Sequence, residues 1–233
     1  MTKKTISTLI VVSIFSIAMG FMESAVVIYL REMYYPEGFA FPIKIIEGVV
    51  ATTEIFREIA TIIMLSCIGF IAGKTFIQRF AYFIFSFAIW DIFYYVFLKA
   101  LIGWPESLFT WDLLFLLPVA WVSPVLAPIL CTIAMIWLAL LIIIYDGKGY
   151  KIMFQSSDWI LLIIGSLVIM ISFTTDHLLF MNKYVSITDT LKKVISQYIP
   201  QSFNWSVFLI GYGIILFVII RFWYRIKNIN YEK

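Results

Sequence analysis

Long apolar runs alternate with short polar segments along the chain, and this pattern predicts membrane-spanning helices. Each run is about 20 or more residues long, the length that an α-helix needs to cross a bilayer. The runs lack the period-2 alternation of barrel strands, and a helix satisfies its own backbone in lipid. The spans cover residues 6–30, 45–73, 80–102, 125–145, 157–181 and 204–222. The sequence therefore predicts an all-α, polytopic transmembrane helix bundle of about six spans, with residues 1–233 forming a single integral membrane domain.

One segment between the third and fourth spans does not fit a simple crossing. Residues 103–128 are apolar but contain four prolines, and with the following span they are too long to cross once. Trp104, Trp111 and Trp121 would suit the interface between lipid and water. Residues 112–117 would form either a short re-entrant half-helix, whose freed backbone needs protein around it, or part of an interfacial loop. The sequence leaves these two alternatives open.

A second irregular segment precedes the last span. In residues 186–199, Ile187, Leu191 and Val194 share one helical face, while Lys192 lies on the polar side. This pattern predicts one amphipathic surface helix that lies on the outer face of the membrane.

Composition and charge agree with a lipid environment. Hydrophobic residues make up 63% of the chain and charged residues only 13%, against about 45–50% and about 25% in ordinary globular domains. The basic residues are scattered, which argues against nucleic acid as a partner. The lipid bilayer is the expected partner, and the sequence leaves open whether other membrane subunits join it.

The distribution of basic residues predicts the orientation. If the N-terminus lies inside, the inner segments hold more Lys and Arg than the outer segments, as cytoplasmic loops do. An even number of spans then places both termini in the cytoplasm.

Five ionisable residues interrupt the apolar runs. Each costs roughly 2.5–3.5 kcal/mol near the bilayer centre on insertion scales. They must therefore face one another or an aqueous cavity. A structural ion-pair network that stabilises the bundle is the alternative to a functional site. The residues are Glu23, Glu54, Arg57, Glu58 and Asp91.

Depth and helical phase predict that these residues converge. With the N-terminus inside, they fall mostly in the outer half of their spans, together with Asp112, Asp176 and His177 near span ends. Residues three or four apart share a helical stripe, as Glu54 and Glu58 do. The sequence thus predicts an outward-facing acidic chamber with aromatic walls. Its predicted ligand-binding residues are Glu23, Glu54, Arg57, Glu58, Asp91, Tyr94, Tyr95, Asp112, Asp176 and His177.

The predicted chamber suits a cation or a small cationic or polar ligand. Glu54, Glu58 and Asp91 supply oxygen ligands of the kind that Mg²⁺, Ca²⁺ or Mn²⁺ prefers, so a divalent metal ion is a candidate cofactor. Arg57 would instead suit a phosphate or carboxylate group. The chain has one histidine and shows no haem or nucleotide signature.

Several stretches resemble an uncharacterised family of bacterial multi-span membrane proteins. They include EIFREIAT at residues 54–61, WDIFYY at 90–95 and GWPESLFTWDLLFLLP at 103–118. The resemblance implies a polytopic protein of the bacterial cytoplasmic (inner) membrane and no particular chemistry. The residues favour a binding or transport protein. A membrane-embedded, metal-dependent enzyme acting on a lipid or isoprenoid and a non-catalytic subunit of a membrane complex are the alternatives.

Overall fold

The structure, a computed structural model, describes residues 2–42, 44, 48–115, 119–150, 152, 154–185 and 197–229. Its secondary structure follows the apolar runs closely, with each helix within a few residues of a predicted span or somewhat longer. The helices are α1 (Lys3–Tyr34), α2 (Gly48–Ala72), α3 (Phe76–Ile102), α4 (Leu126–Asp146), α5 (Ser156–Val185) and α6 (Trp205–Ile229). The strands are β1 (Trp111–Phe115) and β2 (Trp121–Pro124).

All six helices of the described part are long and apolar enough to cross a membrane, so the predicted fold class is confirmed. Helix α3 is central, since α1, α2 and α4 each pack against it, and α5 and α6 pack together beside α4. Large apolar side chains such as Ile14, Phe56 and Ile163 remain exposed on the outside of the bundle. Such a surface is stable against lipid chains, and the protein is a multi-pass membrane protein.

The two ends of the bundle hold different segments. Thr5 lies beside Gly147, the Gln78 side-chain amide donates to Asp146, and Phe154 packs on Phe222. These contacts bring together the starts of α1, α3 and α5 and the ends of α2, α4 and α6, which we call the terminal end. The opposite end, which carries β1 and β2, is called the hairpin end.

The segment between α3 and α4 is an antiparallel hairpin in its described residues. Asp112 pairs with Ser123, and Trp111 with Pro124, across the two strands. Of the two alternatives, the half-helix at residues 112–117 is therefore excluded over the described residues 112–115, because this stretch pairs with β2 instead of forming a helix. The segment returns to the end where it began, since the Val125 amide donates to the Thr110 carbonyl at 3.0 Å.

Small residues let α1 approach α3 closely. A Cβ added at Gly20 would lie 2.9 Å from the Trp90 carbonyl oxygen and 3.0 Å from the Phe93 Cβ. Beside it, the Ser24 hydroxyl donates to the Tyr94 carbonyl at 3.0 Å. This close backbone contact at Gly20 fixes α1 against the polar stripe of α3.

The predicted amphipathic helix at residues 186–199 lies mostly outside the described residues. Of that segment the structure describes residues 197–199, where Tyr198 is fully buried.

Candidate functional site

A cavity of about 230 Å³ lies among the helices toward the hairpin end. Helices α1, α2, α3 and α4 and the hairpin form most of its wall, and Phe173 of α5 adds an aromatic ring. We call it the acidic cavity, because carboxylates outnumber cations among its described lining residues. Its charged residues are Glu23, Arg31, Lys44, Glu54, Arg57, Glu58, Asp91 and Asp112.

Arg57 joins α1 to α2 on one side of this cavity. Its Nε donates to Glu54 Oε2 at 2.8 Å, and its Nη1 donates to Glu23 Oε1. The Thr61 hydroxyl reaches the other oxygen of Glu23 at 3.5 Å. One guanidinium thus serves two carboxylates, and the trio keeps a net negative charge. The sequence predicted this contact from the cost of unpaired charges in lipid.

Asp91 of α3 lies across the cavity and differs from the other carboxylates. It is half-buried and lines the cavity, yet within the described part of the chain it has neither a hydrogen-bond donor nor an ion-pair partner. Its nearest charged influences are two further carboxylates, Asp112 and Glu23. A carboxylate in a membrane-spanning helix needs a cation or a proton, and the described residues supply no cation to Asp91.

Asp112 of β1 enters the cavity from the hairpin. It is 2% exposed, accepts a hydrogen bond from the Tyr95 hydroxyl at 3.0 Å and lies 3.7 Å from Arg31 Nη2. Burial raises the pKa of this carboxyl to about 6, although Arg31, Tyr95 and the Leu113 amide favour its charged form. Asp112 therefore changes charge near neutral pH.

Arg31, near the end of α1, lies against two aromatic rings. Its guanidinium carbon lies 3.8 Å from the Trp104 ring centroid and 4.5 Å from that of Phe39. The two rings are nearly perpendicular and their centroids are 6.3 Å apart, so they lie on neighbouring sides of the guanidinium, and each makes a cation–π contact with it. The Arg31 side chain also bounds a second hollow of about 440 Å³ at the hairpin end, which we call the outer recess. Arg31 thus separates the two spaces.

Three buried donors around the acidic cavity have no acceptor among the described residues. They are Arg31 Nη1 and the indole Nε1 atoms of Trp90 and Trp121. An unmet buried donor costs roughly 1–3 kcal/mol. A ligand with acceptor oxygens would satisfy such groups, so the cavity offers donors as well as carboxylates.

Most of the predicted site residues meet at the acidic cavity, but two do not line it. Glu23, Glu54, Arg57, Glu58, Asp91, Tyr94, Tyr95 and Asp112 are in its wall. Asp176 instead accepts from the Tyr198 hydroxyl at 2.8 Å, and the His177 ring packs edge-on against Tyr198. The C-terminal part of α5 therefore turns these two side chains toward the segment before α6.

The predicted metal site at Glu54, Glu58 and Asp91 stays a prediction. The described residues contain no group of three or more His, Cys, Asp or Glu side chains placed to hold a metal ion. Glu54 forms an ion pair with Arg57 at 2.8 Å.

Sequence reasoning missed Arg31, Lys44 and Cys131 as lining residues. Arg31 and Lys44 follow apolar runs and look like ordinary loop cations, and Cys131 looks like a small apolar residue. The signal for Arg31 would have been its position one residue after an apolar run that already contains Glu23. Its aromatic partners are distant in sequence and gave no signal.

No family model, curated protein or solved structure matches this chain. The fold and the site nevertheless define its class as a membrane protein with six candidate spans in its described part and a cavity between them that is lined by charged and aromatic residues.

Proposed function

We propose that this protein binds a small ligand with a positively charged group in the acidic cavity, as a binding or transport protein of the membrane. The observation that carries the proposal is Asp91, the cavity carboxylate with no partner in the described part of the chain. Its neighbour Glu23 forms an ion pair with Arg57, and Asp112 forms one with Arg31. A cationic group of the ligand would give Asp91 an ion-pair partner in the same way.

The charge and the walls of the cavity support this ligand class. Among the described lining residues, five carboxylates face three cations, so a cation gains more than an anion from the summed field. The rings of Trp90, Tyr94 and Phe87 supply π faces of the kind that attract organic cations. The outer recess adds Glu32, Glu37 and Glu106, which would raise the local concentration of cations near Arg31.

The size of the cavity limits the ligand. Its volume of about 230 Å³ lies near the lower end of small-molecule pockets, which hold roughly 300–1,000 Å³. A small amine or quaternary ammonium compound fits this volume, whereas a complete lipid does not.

We also propose an orientation in which the acidic cavity faces outward from a bacterial cytoplasmic membrane. The basic residues Lys3, Lys74, Lys148, Arg221 and Arg225 lie at the terminal end, and fewer described basic residues lie at the hairpin end. The positive-inside rule then favours a cytoplasmic terminal end, with both chain termini inside.

The test measures cation binding by the purified full-length chain in lipid nanodiscs. Choline, putrescine and tetramethylammonium are titrated against the wild type, Asp91→Asn and Asp146→Asn, and the melting temperature is recorded. We expect at least one cation to give a saturable rise in the wild type, because a ligand that binds the folded state stabilises it. Asp91→Asn should lose roughly tenfold or more in affinity for that cation.

Asp146→Asn is the matched control, since Asp146 is a hydrogen-bonded aspartate at the terminal end, far from the cavity. It should bind as the wild type does. Equal cation affinity in the wild type and Asp91→Asn, or no saturable shift with any of the three cations, would overturn the proposal.

A further inference from the structure

Arg31 is a buried cation whose hydrogen-bond donors are not all satisfied by the described residues. Its side chain is about nine-tenths buried, and its Nη1 has no hydrogen-bond partner among the described residues. The only described carboxylate within ion-pair distance of it, Asp112, is 3.7 Å away, beyond hydrogen-bond distance. The guanidinium is therefore neutralised in part but keeps free donors.

The surroundings of Arg31 leave it able to bind an anion. Trp104 and Phe39 lie on neighbouring sides of the guanidinium, since their centroids are 6.3 Å apart, and Nη1 has no partner among the described residues. A guanidinium can donate two parallel hydrogen bonds to a carboxylate or phosphate. Lys44 also lines the acidic cavity and adds a second positive charge.

The Tyr95 hydroxyl also binds Asp112, so the position of this carboxylate does not depend on Arg31 alone. Its Oδ2 accepts from the Tyr95 hydroxyl at 3.0 Å, while Oδ1 is the atom near Arg31. A ligand oxyanion can therefore take over Arg31 while Tyr95 continues to hold Asp112.

We propose that the ligand of the acidic cavity is a small zwitterion, with its cationic group at Asp91 and its oxyanion at Arg31. This inference rests on the proposed function and adds the second half of the ligand. Both residues line the same cavity, and the unpaired acceptor at Asp91 matches the unpaired donors at Arg31 and Trp121. The two charges of a zwitterion offset each other, in full for a carboxylate or phosphodiester and in part for a phosphate monoester, which suits a site within a membrane domain.

The experiment compares two probes that share one cation. Choline carries the quaternary ammonium group alone, and phosphocholine adds a phosphate. Binding of each is measured by titration calorimetry with the full-length chain in phosphatidylglycerol nanodiscs. We expect the wild type to prefer phosphocholine by roughly tenfold or more, the effect of hydrogen bonds to a charged group.

Two variants move this preference in opposite directions. Arg31→Gln should lower the phosphocholine-to-choline affinity ratio toward one, because it removes the charge and the paired donors. Asp112→Asn should raise the ratio, because it removes the internal competitor for Arg31, and a gain of affinity cannot come from misfolding. Asp146→Asn at the terminal end should leave the ratio unchanged.

The outcomes separate this inference from the proposed function. Choline binding that depends on Asp91, with no preference for phosphocholine in the wild type or Asp112→Asn, would overturn the zwitterion and leave the cation site standing. If the wild type binds neither choline nor phosphocholine, both the zwitterion inference and the proposed function are overturned.

A parallel titration in phosphatidylcholine nanodiscs distinguishes a free zwitterion from a lipid headgroup with the same chemistry. Undiminished phosphocholine binding there supports a free ligand, whereas competition by the lipid supports the headgroup.

Discussion

Arg57 and Asp91 both line the acidic cavity but differ in what their loss would do to the stability of the protein. Arg57 binds Glu54 at 2.8 Å and also Glu23, so Arg57→Gln would leave two carboxylates without their cation. We expect a loss of roughly 3–5 kcal/mol in the free energy of unfolding. Arg79→Gln is the control: Arg79 stacks on Phe70 at 3.7 Å, and we expect a loss of only about 0.5–1 kcal/mol.

Asp91→Asn should act in the opposite direction on stability. Asp91 has no described partner to lose, and the change removes a charge from the membrane domain. We expect an unchanged or higher melting temperature, as at sites where function is kept at a cost in stability. Thermal melting of both variants in the same detergent measures this contrast, and a large fall for Asp91→Asn would show that the carboxylate is structural.

The raised pKa of Asp112 gives a prediction about pH. Its ordinary pKa is 3.8 and its folded pKa about 6, so the folded protein binds this proton more tightly than the unfolded chain does. The stability contributed by this group is therefore present at low pH and is lost as pH rises from about 4 to about 6. Relative to the wild type, Asp112→Asn should gain on the order of 3 kcal/mol between pH 4 and pH 7. A stability difference that does not change with pH would contradict the burial of the charged carboxyl.

At the scale of residues, the sequence identified the site residues that are charged and lie within apolar runs. Glu54, Arg57 and Asp91 lie inside apolar runs, and the cost of charge in lipid requires partners or a cavity for them. Arg31 is not anomalous at the end of a run, because long cations there normally reach toward water. Its burial depends on Phe39 and Trp104, which only the folded chain brings to it.

At the scale of elements, the contact between α1 and α3 depends on the absence of a side chain at Gly20. Gly20→Ala would place a Cβ 2.9 Å from a backbone oxygen of α3, which cannot move aside cheaply. We expect a loss of about 1–3 kcal/mol in stability, typical of overpacking. Gly213→Ala on α6 is the matched control, since a Cβ there meets nothing within 4 Å. Equal melting temperatures for the two variants would show that α1 does not pack on α3 in this way.

The helices were predictable and the hairpin was not, for a physical reason. A helix in lipid must be long and uniformly apolar, and that signal survives in a single sequence. The strands β1 and β2 are short, and their residues are buried or half-buried on both faces, so they show no alternation of polar and apolar residues. Pro124, one of the prolines that indicated a broken helix, instead lies at the end of β2.

For the whole molecule, the proposed orientation predicts which positions react from outside the cell. In a variant with Cys67→Ala and Cys131→Ala, a single cysteine is introduced either at Lys4, at the terminal end, or at Glu106, at the hairpin end. A membrane-impermeant maleimide applied to intact cells should label the Glu106→Cys protein and not the Lys4→Cys protein. Labelling of Lys4→Cys alone would reverse the orientation and turn the cavity toward the cytoplasm.

The central claim is that small cations enter an electronegative cavity bounded by Asp91, and the native Cys131 in its wall reports on this directly. In the Cys67→Ala protein, the reaction rate of Cys131 is compared between a trimethylammonium and a sulfonate methanethiosulfonate of similar size. The account predicts that the cationic reagent reacts roughly tenfold or more faster, the lower range of electrostatic steering. Adding Asp91→Asn should reduce the ratio of the cationic to the anionic reaction rate several-fold, about the effect of one nearby charge. Adding Asp146→Asn should leave this rate ratio unchanged. Equal rates for the two reagents, or a ratio that Asp91→Asn leaves unchanged, would contradict the account.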